Sequence, residues 1–145
     1  MEINATRIGQ YFLSKNQELT DIQIQKLVYY AYSWYMVLHE GKKIFDEQPE
    51  AWIHGPVFRT LFNSMKNYKN FSNLDNIEQM GKSNAEFLDK IYDVYGKYSG
   101  NELERMTHSE LPWIRARHGL KPHEFSQNKI DDKDIIECYG KTWEN

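Results

Sequence analysis

The segment Thr20–Leu38 constrains the fold more than any other part of the chain. Thr20-Asp21-Ile22-Gln23 is a capping-box start, because Gln23 stands three residues after Thr20 and reaches back to its amide. Behind it, Ile24, Leu27, Val28, Ala31, Trp34, Tyr35 and Leu38 fall on one helical face, and Tyr30 and Val37 widen that face beyond an ordinary amphipathic stripe. A helix of that apolar girth packs on more than one side, so the rest of the chain is built around it. Gly41 is placed to cap its C-terminus. Within the helix, the run Tyr29-Tyr30-Ala31-Tyr32-Ser33-Trp34-Tyr35 covers every side of the cylinder. This predicts that some rings face outward or into a groove, as aromatics do in protein–protein contacts. Tyr29 and Tyr32 are the candidates.

The second informative stretch is Glu50-Ala51-Trp52-Ile53-His54-Gly55-Pro56-Val57. Polar and apolar residues alternate over Glu50–Ile53, which suits a short, half-buried strand. Gly55 tolerates backbone angles that other residues avoid, and Pro56 is preset for the first turn of a helix. Val57, Phe58, Leu61, Phe62 and Met65 then recur at helical spacing. The expectation is a strand that turns into a helix at His54-Gly55-Pro56, with Ile44-Phe45 pairing the strand as a small hairpin.

The remaining elements read as helices. One begins near Asn4 and buries Ile8, Tyr11 and Phe12. Residues 66–81 are rich in Asn, Lys and Ser and read as loop with one turn of structure. Ser83-Asn84-Ala85-Glu86 and Ser99-Gly100-Asn101-Glu102 are two further capping boxes. The first opens a helix burying Phe87, Ile91, Val94, Tyr95 and Tyr98, and the second a helix burying Leu103 and Met106. Pro112 starts a short helix through Arg117, residues 118–129 form a loop, and a last helix over 131–139 buries Ile135 and Ile136. The fold class is therefore mainly α (α+β), a compact single domain over 1–145 with six or seven helices and a small β-hairpin.

Composition excludes several function classes. A net charge of −3 offers no global attraction to nucleic acid or anionic membrane. The single cysteine, Cys138, rules out an internal disulfide and a Cys-rich zinc site. No secretory leader and no apolar run of about 20 residues occurs, so the expected location is the cytoplasm. The five histidines show no metal-ligand spacing, the serines lack the glycines of a nucleophile elbow, and no glycine-rich phosphate loop exists; neither metal nor cofactor is expected. His54, His108 and Glu110 form a conceivable acid/base set for a small hydrolase, against the plainer reading that each imidazole bonds backbone and pins its turn. Arg105, Arg115, Arg117 and Lys121 beside Trp113 read either as a nucleic-acid patch or, preferably, as a solvated face balanced by Glu102, Glu104 and Glu110.

With Gln25-Lys26-Leu27-Val28-Tyr29-Tyr30-Ala31, Ile44-Phe45, Glu50-Ala51-Trp52-Ile53-His54-Gly55-Pro56-Val57, Thr107-His108 and Pro112-Trp113 in this order, the chain resembles the Panacea domain family, also described as SocA-like or phage-associated GepA-type. The resemblance covers roughly residues 5 to 140. It implies a largely helical antitoxin domain and no enzyme. The implied partner is a cognate toxin from an adjacent gene, with an ATP-dependent protease as second partner in a branch that acts as proteolytic adaptor. A phage-encoded inhibitor of a host protein is the alternative on the same domain. The residues expected to meet a partner are Tyr29, Tyr32, Trp52, His54, Arg59, His108 and Trp113, and nothing in the sequence sets the oligomeric state.

Overall fold

The structure, a computed structural model, describes residues 2–67, 71, 72 and 77–144. Among them are seven α-helices and one two-stranded sheet: α1 (Ala5–Lys15), α2 (Asp21–Leu38), β1 (Glu50–Trp52), β2 (Gly55–Val57), α3 (Arg59–Lys66), α4 (Lys82–Tyr95), α5 (Gly100–His108), α6 (Leu111–Ala116) and α7 (Asp132–Glu144). A 3-10 turn, Ile77–Met80, precedes α4. The mainly α class with a small β element holds. No helix is long and apolar enough to cross a membrane. Much of the expected 66–81 loop, residues 68–70 and 73–76, lies outside the described residues.

Helix α2 is the axis. The Thr20–Gln23 capping box forms in both directions, at 3.2 Å and 2.8 Å. At the other end Gly41 adopts φ +86° and its amide closes on the Met36 carbonyl. α1, α3, α4, α5, α7 and β2 all pack on α2. That enclosure overturns the choice of Tyr29 and Tyr32 as outward rings: Tyr29, Tyr30 and Tyr32 are 1%, 0% and 0% exposed, and it is Trp34 and Tyr35 of the same run that stay half-buried. The physical reason is that neighbours surround the middle of α2, and only positions toward its two ends, such as Ile22 and Leu38, reach the surface.

Buried tyrosines need partners for their hydroxyls, and distant segments supply them. Tyr30 donates to Glu110 at 2.8 Å and Tyr139 donates to the same carboxylate at 2.9 Å. The Tyr29 and Tyr139 hydroxyls share a hydrogen bond at 3.0 Å, and Tyr32 donates to Asp132 at 2.7 Å. Tyr30 stacks on Tyr95 at 4.0 Å, and the Tyr95 hydroxyl accepts from the Trp34 indole at 2.7 Å. Burial pushes Glu110 above the usual carboxylate range, against the two tyrosine hydrogen bonds that favour its charge.

Other expectations meet mixed outcomes. α1 starts from an Asn4 cap and buries Ile8, Tyr11 and Phe12. The Ser99–Glu102 capping box forms. The Ser83 box does not, because α4 starts earlier, after Gly81 at φ +89°, so Ser83 is already inside the helix. Val94 and Ile136 are exposed, while Leu88, which had no assigned role, is fully buried.

The hairpin differs most from expectation. β1 pairs with Gly55-Pro56-Val57, in the register Glu50↔Val57, Ala51↔Pro56 and Trp52↔Gly55, and not with Ile44-Phe45. Pro56 is therefore a strand residue, and α3 begins only at Arg59 after a Phe58 cap. The ladder tolerates the proline because its partner Ala51 turns its amide to the opposite edge, donating to the Asn128 carbonyl at 2.8 Å. The Ile130 amide returns to the Pro49 carbonyl at 2.9 Å, so the far edge of β1 is closed by the strand-like stretch 128–130.

Candidate functional site

All three sequence motifs converge on the hairpin. From α2, Gln25 exchanges two hydrogen bonds with Phe58: its amide donates to the Phe58 carbonyl at 3.1 Å and its carbonyl accepts from the Phe58 amide at 2.9 Å. The next residue, Lys26, donates from Nζ to the Pro56 carbonyl at 3.1 Å. Its side chain runs under Gly55, where a methyl group would meet Lys26 Cε at 2.6 Å and Thr107 Oγ1 at 2.9 Å. With φ at +114°, Gly55 is required twice over, by backbone angle and by space. From α6, the Trp113 indole donates to the Trp52 carbonyl at 2.8 Å, and Arg117 donates to the Ala51 carbonyl at 3.0 Å. His108, at the end of α5, bonds the Ile53 backbone and stacks on Trp113 at 3.9 Å.

Side chains on the outer surface of this clamp are only partly covered. Trp52 and Arg59 are half-buried, with the guanidinium 5.5 Å from the indole centroid, and Trp52 meets Phe62 edge-on at 4.9 Å. Glu50 holds the pair together. It accepts from Arg59 Nη2 at 2.8 Å, from Arg59 Nε at 3.2 Å and from the Trp52 indole at 2.9 Å. Burial acts to raise the Glu50 pKa, yet these hydrogen bonds outweigh it and leave the carboxylate below its ordinary value. His54, at the corner, has a side chain 70% exposed and lies 3.1 Å from the Glu104 carboxylate. Between the hairpin, the start of α2 and α3 is a cleft of about 230 Å3 lined by Ile22, Lys26, Trp52, Val57, Phe62 and Met65 among others. On the other side, His108, Trp113, Ile114 and Leu120 line a second, shallower one of about 380 Å3.

Five of the seven sequence-named residues thus gather here: Trp52, His54 and Arg59 outside, His108 and Trp113 behind. Tyr29 and Tyr32 do not; sealed in the core, they have no surface to offer a partner. The hydrolase arrangement is not built either, because Glu110 is engaged by Tyr30 and Tyr139 while His108 is engaged by backbone. Burial pushes the His108 pKa down, and its Nε2 is buried without a hydrogen-bond partner among the described residues. Two of the four members of the basic patch are spent on structure, while Arg105 and Lys121 stay exposed. Arg117 is buried and spends its donors on the Ala51, Lys121 and Glu124 carbonyls, and Arg115 is paired with Asp134 and Glu137. No group of acidic, His or Cys side chains among the described residues is arranged to hold a metal.

Sequence reasoning missed Lys26 and Glu104 as members of the site. Lys26 is 1% exposed, and burial pushes its pKa down to about 8, against the attraction of Glu104. The signal was present in the sequence: a lysine directly before Leu27-Val28, inside the most apolar stretch of the chain, needs a buried acceptor.

A family model described as antitoxin SocA-like, Panacea domain, matches residues 24–114, which runs from the first buried turn of α2 to the middle of α6 and covers more than half of the chain. The chain belongs to that family. No curated protein and no solved structure matches it.

Proposed function

From its membership of an antitoxin family, we propose that this protein neutralises a cognate toxin by direct protein–protein contact, through the surface around the hairpin corner. Family membership implies a protein partner such as a toxin; the observation that carries the choice of surface is the composition of the corner. Trp52, Arg59 and His54 stand side by side on the outside of a backbone clamped from three helices. Tryptophan and arginine dominate binding hot spots, and a rigid support lowers the ordering cost of using them. His108 and Trp113 support the corner from behind. Delivery of the toxin to an ATP-dependent protease is a second step that the same contact would serve, and the toxin gene is placed next to this one.

Co-expression in a bacterial cytoplasm tests the proposal. The product of the adjacent gene should arrest growth alone and cease to do so with this protein present. The double variant Trp52→Ala, Arg59→Ala should fold and fail to rescue. Full rescue by that variant would remove the corner as the contact surface. A purified complex that contains a host protein and no neighbouring gene product would replace the toxin with a host target. Rescue that disappears in a host lacking its ATP-dependent proteases would assign the delivery step.

A further inference from the structure

Helix α7 carries an outer face that the described residues leave uncovered. Ile136, Gly140 and Trp143 follow one another at spacings of four and three, so they share one side of the helix. Ile136 is 38% and Trp143 65% exposed, although the Trp143 ring meets Trp34 edge-on at 6.3 Å. Leu38, one turn beyond Trp34 on α2, is exposed as well and extends the apolar surface. Between Ile136 and Trp143 the helix has a notch, since a methyl group added at Gly140 would meet nothing within 4 Å. A glycine inside a helix costs about 0.5–1 kcal/mol relative to alanine, and no contact among the described residues requires one here. The other flank of the same face holds Glu137 and Lys141, 41% and 71% exposed. α7 lies beyond residues 24–114, so this face is carried by a part of the chain that the family match does not reach.

We infer that two copies of this chain associate through α7, as a twofold-symmetric antiparallel pair of helices crossing at Gly140. The face is complementary to itself in that arrangement. With the crossing near residues 139 and 140, Ile136 comes opposite Trp143 of the second copy, and in the same register Glu137 comes opposite Lys141. Twofold symmetry forms each of these contacts twice. Arg115 already holds the Glu137 carboxylate from α6, at 3.0 Å, so it is fixed in place for a second cation. The notch lets the helices close toward the short end of the usual interaxial range of about 8–10 Å. Apolar burial then drives the association and the opposed charges set its register. Trp52, His54 and Arg59 are not on this face, so each copy keeps its corner free; the inference does not depend on the toxin reading.

Sedimentation velocity of the full-length protein tests the inference. At about 100 μM it should sediment with twice the mass of the 145-residue chain and dissociate on dilution. Gly140→Gln should leave the circular dichroism spectrum unchanged, because the position opens on empty space, and weaken the dimer about a hundredfold by keeping the helices apart. Glu137→Lys and Lys141→Glu should each dimerise less well than the parent. An equimolar mixture of those two variants should dimerise better than either alone, since only the mixed pair sets opposite charges against each other. A monomer at about 100 μM, a dimer untouched by Gly140→Gln, or a mixture no tighter than its components overturns the inference. A monomer whose toxin rescue is lost in Gly140→Gln would assign the face to the toxin in place of a second copy.

Discussion

Helix α2 and the hairpin corner are both rich in aromatics, and they use them in opposite ways. In α2, three tyrosines within four positions are sealed, each hydroxyl matched by a group from far along the chain: Glu110 is 80 positions from Tyr30, Asp132 is 100 from Tyr32, and Tyr139 is 110 from Tyr29. At the corner, Trp52 spends its indole on the neighbouring Glu50 and keeps part of its ring uncovered. Aromatic density therefore does not distinguish a binding surface from a core. What separates Trp52 from the three tyrosines is where the polar tip is satisfied: Trp52 finds its partner two residues away, whereas each tyrosine hydroxyl is met from across the molecule.

Four experiments would break or sharpen that contrast. The largest expected effect is on stability: Tyr32→Ala opens a cavity in the core and removes one of the hydrogen bonds to Asp132, and should cost about 3–5 kcal/mol in urea unfolding. Near-native stability for that variant would contradict the burial of α2. Next, Trp52→Ala should weaken toxin binding by about 2 kcal/mol or more in calorimetry if the ring is a hot spot, with a smaller loss of fold stability than Tyr32→Ala. A loss of fold as large as that for Tyr32→Ala would erase the distinction between the two regions.

The third effect is smaller and depends on pH. Folded Lys26 gives up its proton near pH 8, whereas the unfolded side chain keeps it to about 10.5. Across that window the unfolded chain holds the extra proton, so stability rises with pH. The hydroxyls of Tyr29, Tyr30 and Tyr32 act with the opposite sign. Burial first, and for Tyr30 and Tyr32 neighbouring carboxylates as well, raises them far above 10, so stability falls once the unfolded tyrosines begin to ionise. Thermal melts should thus improve modestly from pH 8 to about 9.5 and decline beyond it. Lys26→Met should flatten the rise, because no amine is left there to titrate. A fall in stability from pH 8 upward would contradict the buried, lightly partnered amine. Least of all, His54→Ala should alter stability by under about 0.5 kcal/mol, because an exposed ion pair contributes little. Any cost should appear in toxin binding instead.

Local signals in the sequence translated well into structure. The boxes at Thr20 and Ser99 and the cap at Asn4 involve residues three or four apart, and the backbone had little else to do there. Ser83 failed because the helix took its start from the positive-φ Gly81, a conformation no spacing rule detects. Pro56 was misassigned for a related reason. It fits the first turn of a helix as well as an unpaired strand edge, and the deciding fact is that Ala51 faces the segment 128–130, more than seventy residues away. The site was legible as a set of motifs, but the clamp that joins them was not. Gln25, Lys26 and Arg117 act on backbone carbonyls and amides, and a backbone acceptor leaves no trace in the sequence.

The closure of β1 by residues 128–130 has a consequence for the timing of synthesis. The far edge of β1 cannot acquire its hydrogen bonds until residues near Ile130 have left the ribosome, although the rest of the hairpin and its α2 support are complete some seventy residues earlier. At about 5–20 residues per second, that leaves the corner half-finished for several seconds of each round of translation. If the corner is the contact surface proposed above, a nascent chain should be a poorer binder than a released one, and a pool of finished protein, more than the rate at which new copies begin, should set how quickly a partner is met.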